Sequence, residues 1–232
     1  MTRDDFMMNI QGAIFDMDGT LLDSLMTWDV LWREFGKLFC DGKVFVPTEH
    51  DNKAVRTMTL KQAMYYLHSV YNIGENGEEL LETANKIMEN FYANEVQLKE
   101  GVLEFLDYCH KKNISMCIAS ATSKRLLDIA IKHCNIEKYF TYVLSCAEIG
   151  KGKEEPDIYL MALNMLGTNK EETVVFEDSL VAIKTANQVG LNTVGIFDKY
   201  NYGQAEIERI SSVYIAEGET LKKLIVEKNG AD

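Results

Sequence analysis

Short apolar runs alternate along the chain with stretches whose apolar residues recur every three or four positions. The runs fall at 10–15, 114–119, 142–144, 173–176, 193–197 and 213–216, and each has the length and texture of a strand buried on both faces. Between the later runs, Val102, Phe105, Leu106 and Cys109 repeat at the spacing of one helix face, as Leu180, Ile183, Ala186 and Val189 nearly do. Gly190 follows the second pattern, where a residue that tolerates left-handed backbone can stop a helix. Strands alternating with helices of this length predict βαβ units and an α/β fold with a mainly parallel sheet. In such sheets ligands bind beyond the carboxyl ends of the strands.

One block breaks the rhythm. Between residues 24 and 97 the pattern is helical throughout, with faces formed by Trp28, Leu31, Trp32, Phe35, Leu38 and Phe39, then by Leu60, Met64, Leu67 and Tyr71, then by Leu81, Ala84, Met88 and Phe91. Pro47 and the glycines at 74 and 77 punctuate these helices. At about 75 residues the block is too long for a loop. It reads as an inserted all-helical domain, 24–97, within a core formed by 1–23 and 98–232. Its aromatic stripe has the helical period of a core face rather than of a cofactor box.

Composition narrows the class. Lys and Arg number 24 against 36 Asp and Glu, a net charge of −12, the opposite of a nucleic-acid footprint. No stretch free of these four residue types exceeds 13 residues, whereas a membrane span needs about 18 apolar ones. The first residues carry Asp4 and Asp5 where a signal peptide would be basic and then apolar. A cytoplasmic protein without nucleic-acid or membrane partners is expected. The cysteines at 40, 109, 117, 134 and 146 form no CxxC pair, and most fall in apolar stretches where a free thiol behaves as a small hydrophobe, in keeping with a reducing compartment.

The strand ends carry the candidate chemistry. Directly after the first run stand Asp16-Met17-Asp18-Gly19-Thr20. Paired carboxylates can hold a hard divalent cation and do nucleophilic or acid–base work. An EF-hand loop would need its Gly two positions later and a Glu at position twelve, where Thr27 stands. A solvated Asp-Gly turn explains neither the second Asp nor the strand before it. After the second run come Ser120-Ala121-Thr122, either phosphate ligands at a helix start or an ordinary cap. Lys153 precedes the Pro156-started helix, either a point charge for a phosphoryl oxygen or a surface lysine. Glu177 and Asp178 end the fourth run and, beside another acidic pair, suit a metal site.

Taken in order, these parts resemble the haloacid dehalogenase-like hydrolases. They are most similar to the subgroup with a helical cap after the first strand, which includes phosphoglycolate phosphatases and β-phosphoglucomutases. The matching text includes Asp-Gly-Thr-Leu-Leu-Asp-Ser24, Pro-Asp-Ile-Tyr159, Glu-Asp-Ser179 and Thr-Val-Gly-Ile-Phe-Asp198. The resemblance implies a Rossmann-like core and a cap at 24–97 that gates the crevice. It implies Asp16 as nucleophile and Asp18 as general acid–base. Ser120 and the amides of Met17, Asp18 and Ala121 would hold the phosphoryl group, and Lys153 would balance charge. Mg²⁺ would sit on Asp16, the Asp18 carbonyl, Asp178 and Glu177. The substrate would be a small phosphorylated metabolite, a sugar phosphate or a phosphoglycolate-like ester. Crowding of the acids is expected to raise the proton affinity of Asp18, which suits an acid for the leaving group.

Within that resemblance the dehalogenases lack the second Asp, so Asp18 argues for phosphoryl chemistry. The alternative is a β-phosphoglucomutase-type phosphotransferase, and a further one is a non-catalytic regulatory binder. The mutases carry a His twelve residues after the nucleophile, where this chain has Trp28. They carry an Arg after a cap Ser or Thr, where Leu60 follows Thr59. Phosphatase is therefore the expected activity. Lys153-Glu154-Glu155-Pro156 departs from the family's Lys-Pro-x-Pro, which bears on the loop's rigidity rather than its charge. Trp28, Arg56, Lys61 and Tyr65 are candidates to face the substrate or to serve as packing and solvated surface.

Overall fold

A computed structural model describes residues 7–55 and 58–226. Asp4, Asp5 and Arg56 lie outside the described residues. In chain order, β1 is Gly12–Phe15, β2 Leu22–Asp23, α1 Thr27–Phe39, α2 Glu49–Val55, α3 Leu60–Tyr71, α4 Gly77–Asn94 and β3 Gln97–Leu98. There follow α5 Val102–Lys111, β4 Ser115–Ser120, α6 Lys124–His133, β5 Tyr142–Ser145, α7 Cys146–Ile149 and α8 Asp157–Leu166. The chain continues with β6 Thr173–Glu177, α9 Leu180–Gln188, β7 Asn192–Ile196, α10 Gln204–Ile210 and β8 Val213–Ile215. No described helix is long and apolar enough to cross a membrane.

Six strands form one parallel sheet in the order β5-β4-β1-β6-β7-β8. Each apolar run of the sequence supplies one of them. The central strands β1 and β6 are buried at every position, as expected when helices cover both faces of a parallel sheet. Alternation sends neighbouring side chains to opposite faces. Ile14 and Val175 meet Ile158, Tyr159 and Ala162 of α8 and Ala182 and Ala186 of α9. Phe15 faces the other way, stacked on Phe176 at 4.5 Å between ring centroids, with Phe105 of α5 at 6.3 Å from Phe15. Cys109, Cys117 and Cys146 are buried, and burial pushes the thiols of Cys109 and Cys117 up to about 12. They are inert at neutral pH.

The chain reaches β4 on one side of β1 and β6 on the other, so strand order reverses at β1. Register aligns the strand ends, with Phe15 paired with both Ile118 and Phe176. Asp16, Ser120 and Glu177 therefore emerge at one edge of the sheet, at the switch point where α/β crevices form.

The chain divides into two compact units, Met1–Ser24 with Val96–Asp232, and Leu25–Glu95. The second is all-helical and has its own core of Leu31, Trp32, Phe35, Met64, Leu67 and Leu80. Within the first, β2 and β3 pair antiparallel, Leu22 opposite Leu98 and Asp23 opposite Gln97. In the helical unit, Thr59 and Gln62 form a reciprocal capping box at the start of α3. Nearby, buried Asp51 accepts hydrogen bonds from Thr48 Oγ1 at 2.7 Å, Tyr66 OH at 2.6 Å and Tyr71 OH at 2.5 Å. These three donors, the Tyr66 hydroxyl foremost, hold its carboxyl down at about 2. The unfolded chain thus binds more protons here as pH falls from about 4 towards 2, and stability is lost over that interval. Asp51→Ala strands three hydroxyls, and its calorimetric trace should show earlier melting of the helical unit together with a weaker acid dependence.

Candidate active site

The ladder continues past β1 by one bond, from the Asp16 amide to the Phe176 carbonyl at 2.9 Å. That bond fixes Asp16 beside the end of β6. The chain then turns sharply: the Gly19 amide donates to Leu22 O at 2.9 Å, and Gly19 adopts φ 80°, a conformation cheap only for glycine. Among the described residues, Asp16, Glu177 and Asp178 each present a carboxylate oxygen within 4.8 Å of the others, and all three are buried. Lys153 reaches the same place from the loop before α8. Its Nζ lies 2.5 Å from Asp16 Oδ1 and 2.6 Å from Glu177 Oε2. The Glu154-Glu155 departure in this loop leaves that reach intact.

Each carboxylate is anchored. Glu177 Oε1 accepts the amides of Asp178 and Ser179 at 3.1 Å, and the buried Tyr159 hydroxyl donates to Oε2 at 3.4 Å. Asp178 Oδ1 accepts from Thr20 Oγ1 at 3.0 Å, and its Oδ2 accepts from the Asn201 amide. Asp18 is outside this acidic group. Its two oxygens accept from Ser24 Oγ and Thr122 Oγ1, each at 2.7 Å. Through Thr122 it is joined to the Ser120 turn, because the Thr122 amide donates to Ser120 Oγ at 3.1 Å and Ser145 Oγ donates to the Thr122 carbonyl at 2.7 Å.

The electrostatics are those of too many negative charges in one place. Burial, then the Glu177 charge, pushes the Asp16 carboxyl up to about 7 against the opposing pull of Lys153. Burial with Glu177 and Asp16 also holds Asp178 well above the usual carboxylate range. Burial works against the charge on Lys153, but Asp16 and Glu177 outweigh it and keep the ammonium protonated. The crowding of the acids is thus expressed at Asp16 and Asp178. Three buried carboxylates with one ammonium must take up protons or a cation. All the donors are hard oxygens, the set that Mg²⁺ or Ca²⁺ prefers.

The structure brings Asp16, Lys153, Glu177 and Asp178 into one cluster and ties Asp18 to the turn of Ser120 and Ala121. Met17 is buried, and its carbonyl accepts the amides of Leu21 and Leu22. Trp28 packs against Trp32 with ring centroids 5.4 Å apart. Lys61 lies over the Tyr65 ring, and the Tyr65 hydroxyl donates to Glu78. Sequence reasoning missed Tyr159 and Asn201 as partners of the acids, gave no role to the Thr20 hydroxyl, and read the Thr122 turn as phosphate ligand or cap rather than as a partner of Asp18. Both threonines stand in the motif stretches, whereas Asn201 stands in none. A cavity of about 390 Å³ in the sheet unit, lined by Thr20, Lys99, Ile196, Asp198 and Leu221 among others, does not include the acidic cluster.

Residues 13–196 match the family model of the haloacid dehalogenase-like hydrolases. A phosphorylated carbohydrates phosphatase from Thermotoga maritima is 26% identical over 200 residues, 86% of this chain and 91% of that protein. Hexitol phosphatase B of Escherichia coli is 26% identical over 184 residues, 76% of this chain and 80% of its own. Among solved structures, a Thermotoga maritima protein provisionally named β-phosphoglucomutase superposes with a TM-score of 0.76 at 25% identity, covering 89% of this chain and 94% of that one. The family match runs from within β1 to the end of β7 and takes in the acids and serine at the ends of β1, β4 and β6 and the lysine before α8, and on it the chain belongs to the haloacid dehalogenase-like hydrolases.

Proposed function

We propose that the protein is a Mg²⁺-dependent phosphatase that hydrolyses a small phosphorylated metabolite, a sugar phosphate or a phosphoglycolate-like ester, with the helical insert 24–97 as its cap. The observation that carries this reading is the buried Asp16 carboxylate at the switch point of the sheet, 2.5 Å from Lys153 and clustered with Glu177 and Asp178. Asp16 attacks phosphorus, and the ester oxygen departs with a proton from Asp18, leaving an aspartyl-phosphate. Asp18, now ionised, takes a proton from water as the water attacks phosphorus. Inorganic phosphate leaves and Asp16 is regenerated. Ser120 Oγ and the amides of Met17, Asp18 and Ala121 hold the phosphoryl oxygens. Lys153 sits between nucleophile and phosphate and draws the Asp16 carboxyl towards its ionised form.

Asp16, Asp178 and the Asp18 carbonyl would hold Mg²⁺, with Glu177 direct or through water. When bound, the ion neutralises charge on the phosphoryl oxygens as they pass through the transition state. Its binding and the ionisation of Asp16 are linked, since a carboxyl with a pKa of about 7 is partly protonated near neutral pH and useless as a nucleophile. Relatives named as phosphatases of phosphorylated carbohydrates and hexitols support this substrate class.

The test is phosphate release from a panel of sugar phosphates, phosphoglycolate and nucleotides, with Mg²⁺ and with EDTA. Mutase turnover of β-glucose 1-phosphate is measured alongside. Release from a sugar phosphate or phosphoglycolate should vanish in EDTA and return with excess Mg²⁺. Release indifferent to EDTA, or conversion of β-glucose 1-phosphate to its isomer in place of hydrolysis, would refute the reading.

A further inference from the structure

We infer that Asn201 is a positioning residue for the cation site, acting through Asp178; the inference rests on the proposed Mg²⁺ site. Asp178 is 2% exposed and bonded on both carboxylate oxygens. Thr20 Oγ1 donates to Oδ1 at 3.0 Å, and Asn201 Nδ2 donates both to Oδ2 and, at 3.2 Å, to the Asp178 backbone carbonyl. One amide nitrogen thus grips main chain and side chain of the same residue. Together with Thr20 it fixes the plane of the carboxylate, so the remaining lone pairs are committed to the space shared with Asp16 and Glu177.

Asn201 belongs to no motif, yet the loop that carries it is held as a positioning element would be. The Asn201 amide N–H donates to Asp198 O at 3.1 Å. Gln204 Nε2 donates to the carbonyls of Asp198 at 2.9 Å and Asn201 at 3.4 Å, and Tyr214 OH donates to Gln204 Oε1 at 2.9 Å. Asp198 is paired with Lys99 at 2.8 Å, and the same ammonium donates to Phe197 O at 3.1 Å. The side-chain amide is therefore presented from a backbone fixed at several points, with little entropy left to lose on gripping Asp178. Partners of metal ligands carry measurable affinity: removing one typically costs about 10–100-fold in metal binding.

The experiment is calorimetric titration of Mg²⁺ into the whole 232-residue chain, with the melting temperature of each variant measured in EDTA. Wild type should bind Mg²⁺ and Asp178→Asn should lose it. Asn201→Ala, and Asn201→Leu which keeps the branched shape without the amide, should bind Mg²⁺ about tenfold more weakly. In turnover the loss should appear in the Mg²⁺ concentration needed for half activity, with kcat at saturating Mg²⁺ retained. If either folded Asn201 variant binds Mg²⁺ as wild type does, or loses only melting temperature, Asn201 is a loop residue and the inference is overturned. If wild type itself binds no Mg²⁺, the metal reading falls and takes this inference with it.

Discussion

On the proposed mechanism Asp16→Asn should abolish phosphate release, by a factor on the order of 10⁴ or more, because it replaces the nucleophilic carboxylate with a neutral amide. The same change should leave the metal-free protein better able to withstand neutral pH. In the native state the Asp16 carboxyl has a pKa of about 7, against 3.8 when unperturbed. Between those values the folded protein binds the extra proton, so stability falls as pH rises from about 4 to 7. The asparagine carries no charge and removes that slope, a difference of up to a few kcal/mol at pH 8. Melting curves in EDTA across this interval should decline with pH for wild type and run flatter for the variant. A variant that still released phosphate in a Mg²⁺-dependent way would end the nucleophile assignment.

Lys153→Met should do the reverse to stability and the same to activity. Lys153 is the only cation within hydrogen-bond reach of Asp16 and Glu177 among the described residues, with a side chain 10% exposed. Removing one partner of a buried pair costs about 3–5 kcal/mol, because the remaining charges are left uncompensated. In metal-free protein the cost should be greatest near pH 8 and shrink towards pH 5, where Asp16 and its neighbours can take up protons instead. Added Mg²⁺ should restore part of the stability without restoring turnover. Equal destabilisation at both pH values would mean that Lys153 contributes packing alone.

These expectations rest on residues that announce themselves unevenly. The six core strands were legible because burial on both faces leaves an unbroken apolar run, and their ends moved by only a residue or two. The strands β2 and β3 were not, since a two-residue ladder has no periodicity to detect. Helix α2 was missed for a related reason: Glu49-His50-Asp51-Asn52-Lys53 has no apolar stripe, and its inward contacts are polar, the carboxylate of Asp51 under two tyrosines and a threonine and the Asn52 side chain accepting from the Trp32 indole. Asp16, Lys153, Glu177 and Asp178 could be singled out because reactive types at strand ends are rare and the sheet's register makes them converge. Asn201 and Tyr159 could not. Their part in the site depends on a loop path and on a helix face, neither of which is written in residue type.

The small ladder between β2 and β3 has a consequence for how this chain could change. It holds Leu22 opposite Leu98, on either side of everything from Leu25 to Glu95. The ends of the insert are thereby stapled at a fixed separation by the sheet unit itself. Once closed in this way, an insertion's entropic penalty grows only with the logarithm of its length, about 0.6 kcal/mol for each doubling. The helical module can therefore be lengthened, trimmed or exchanged while the acids at the ends of β1 and β6 keep their spacing. The acid-bearing strand ends and the helical insert are free to change as separate stretches of one gene.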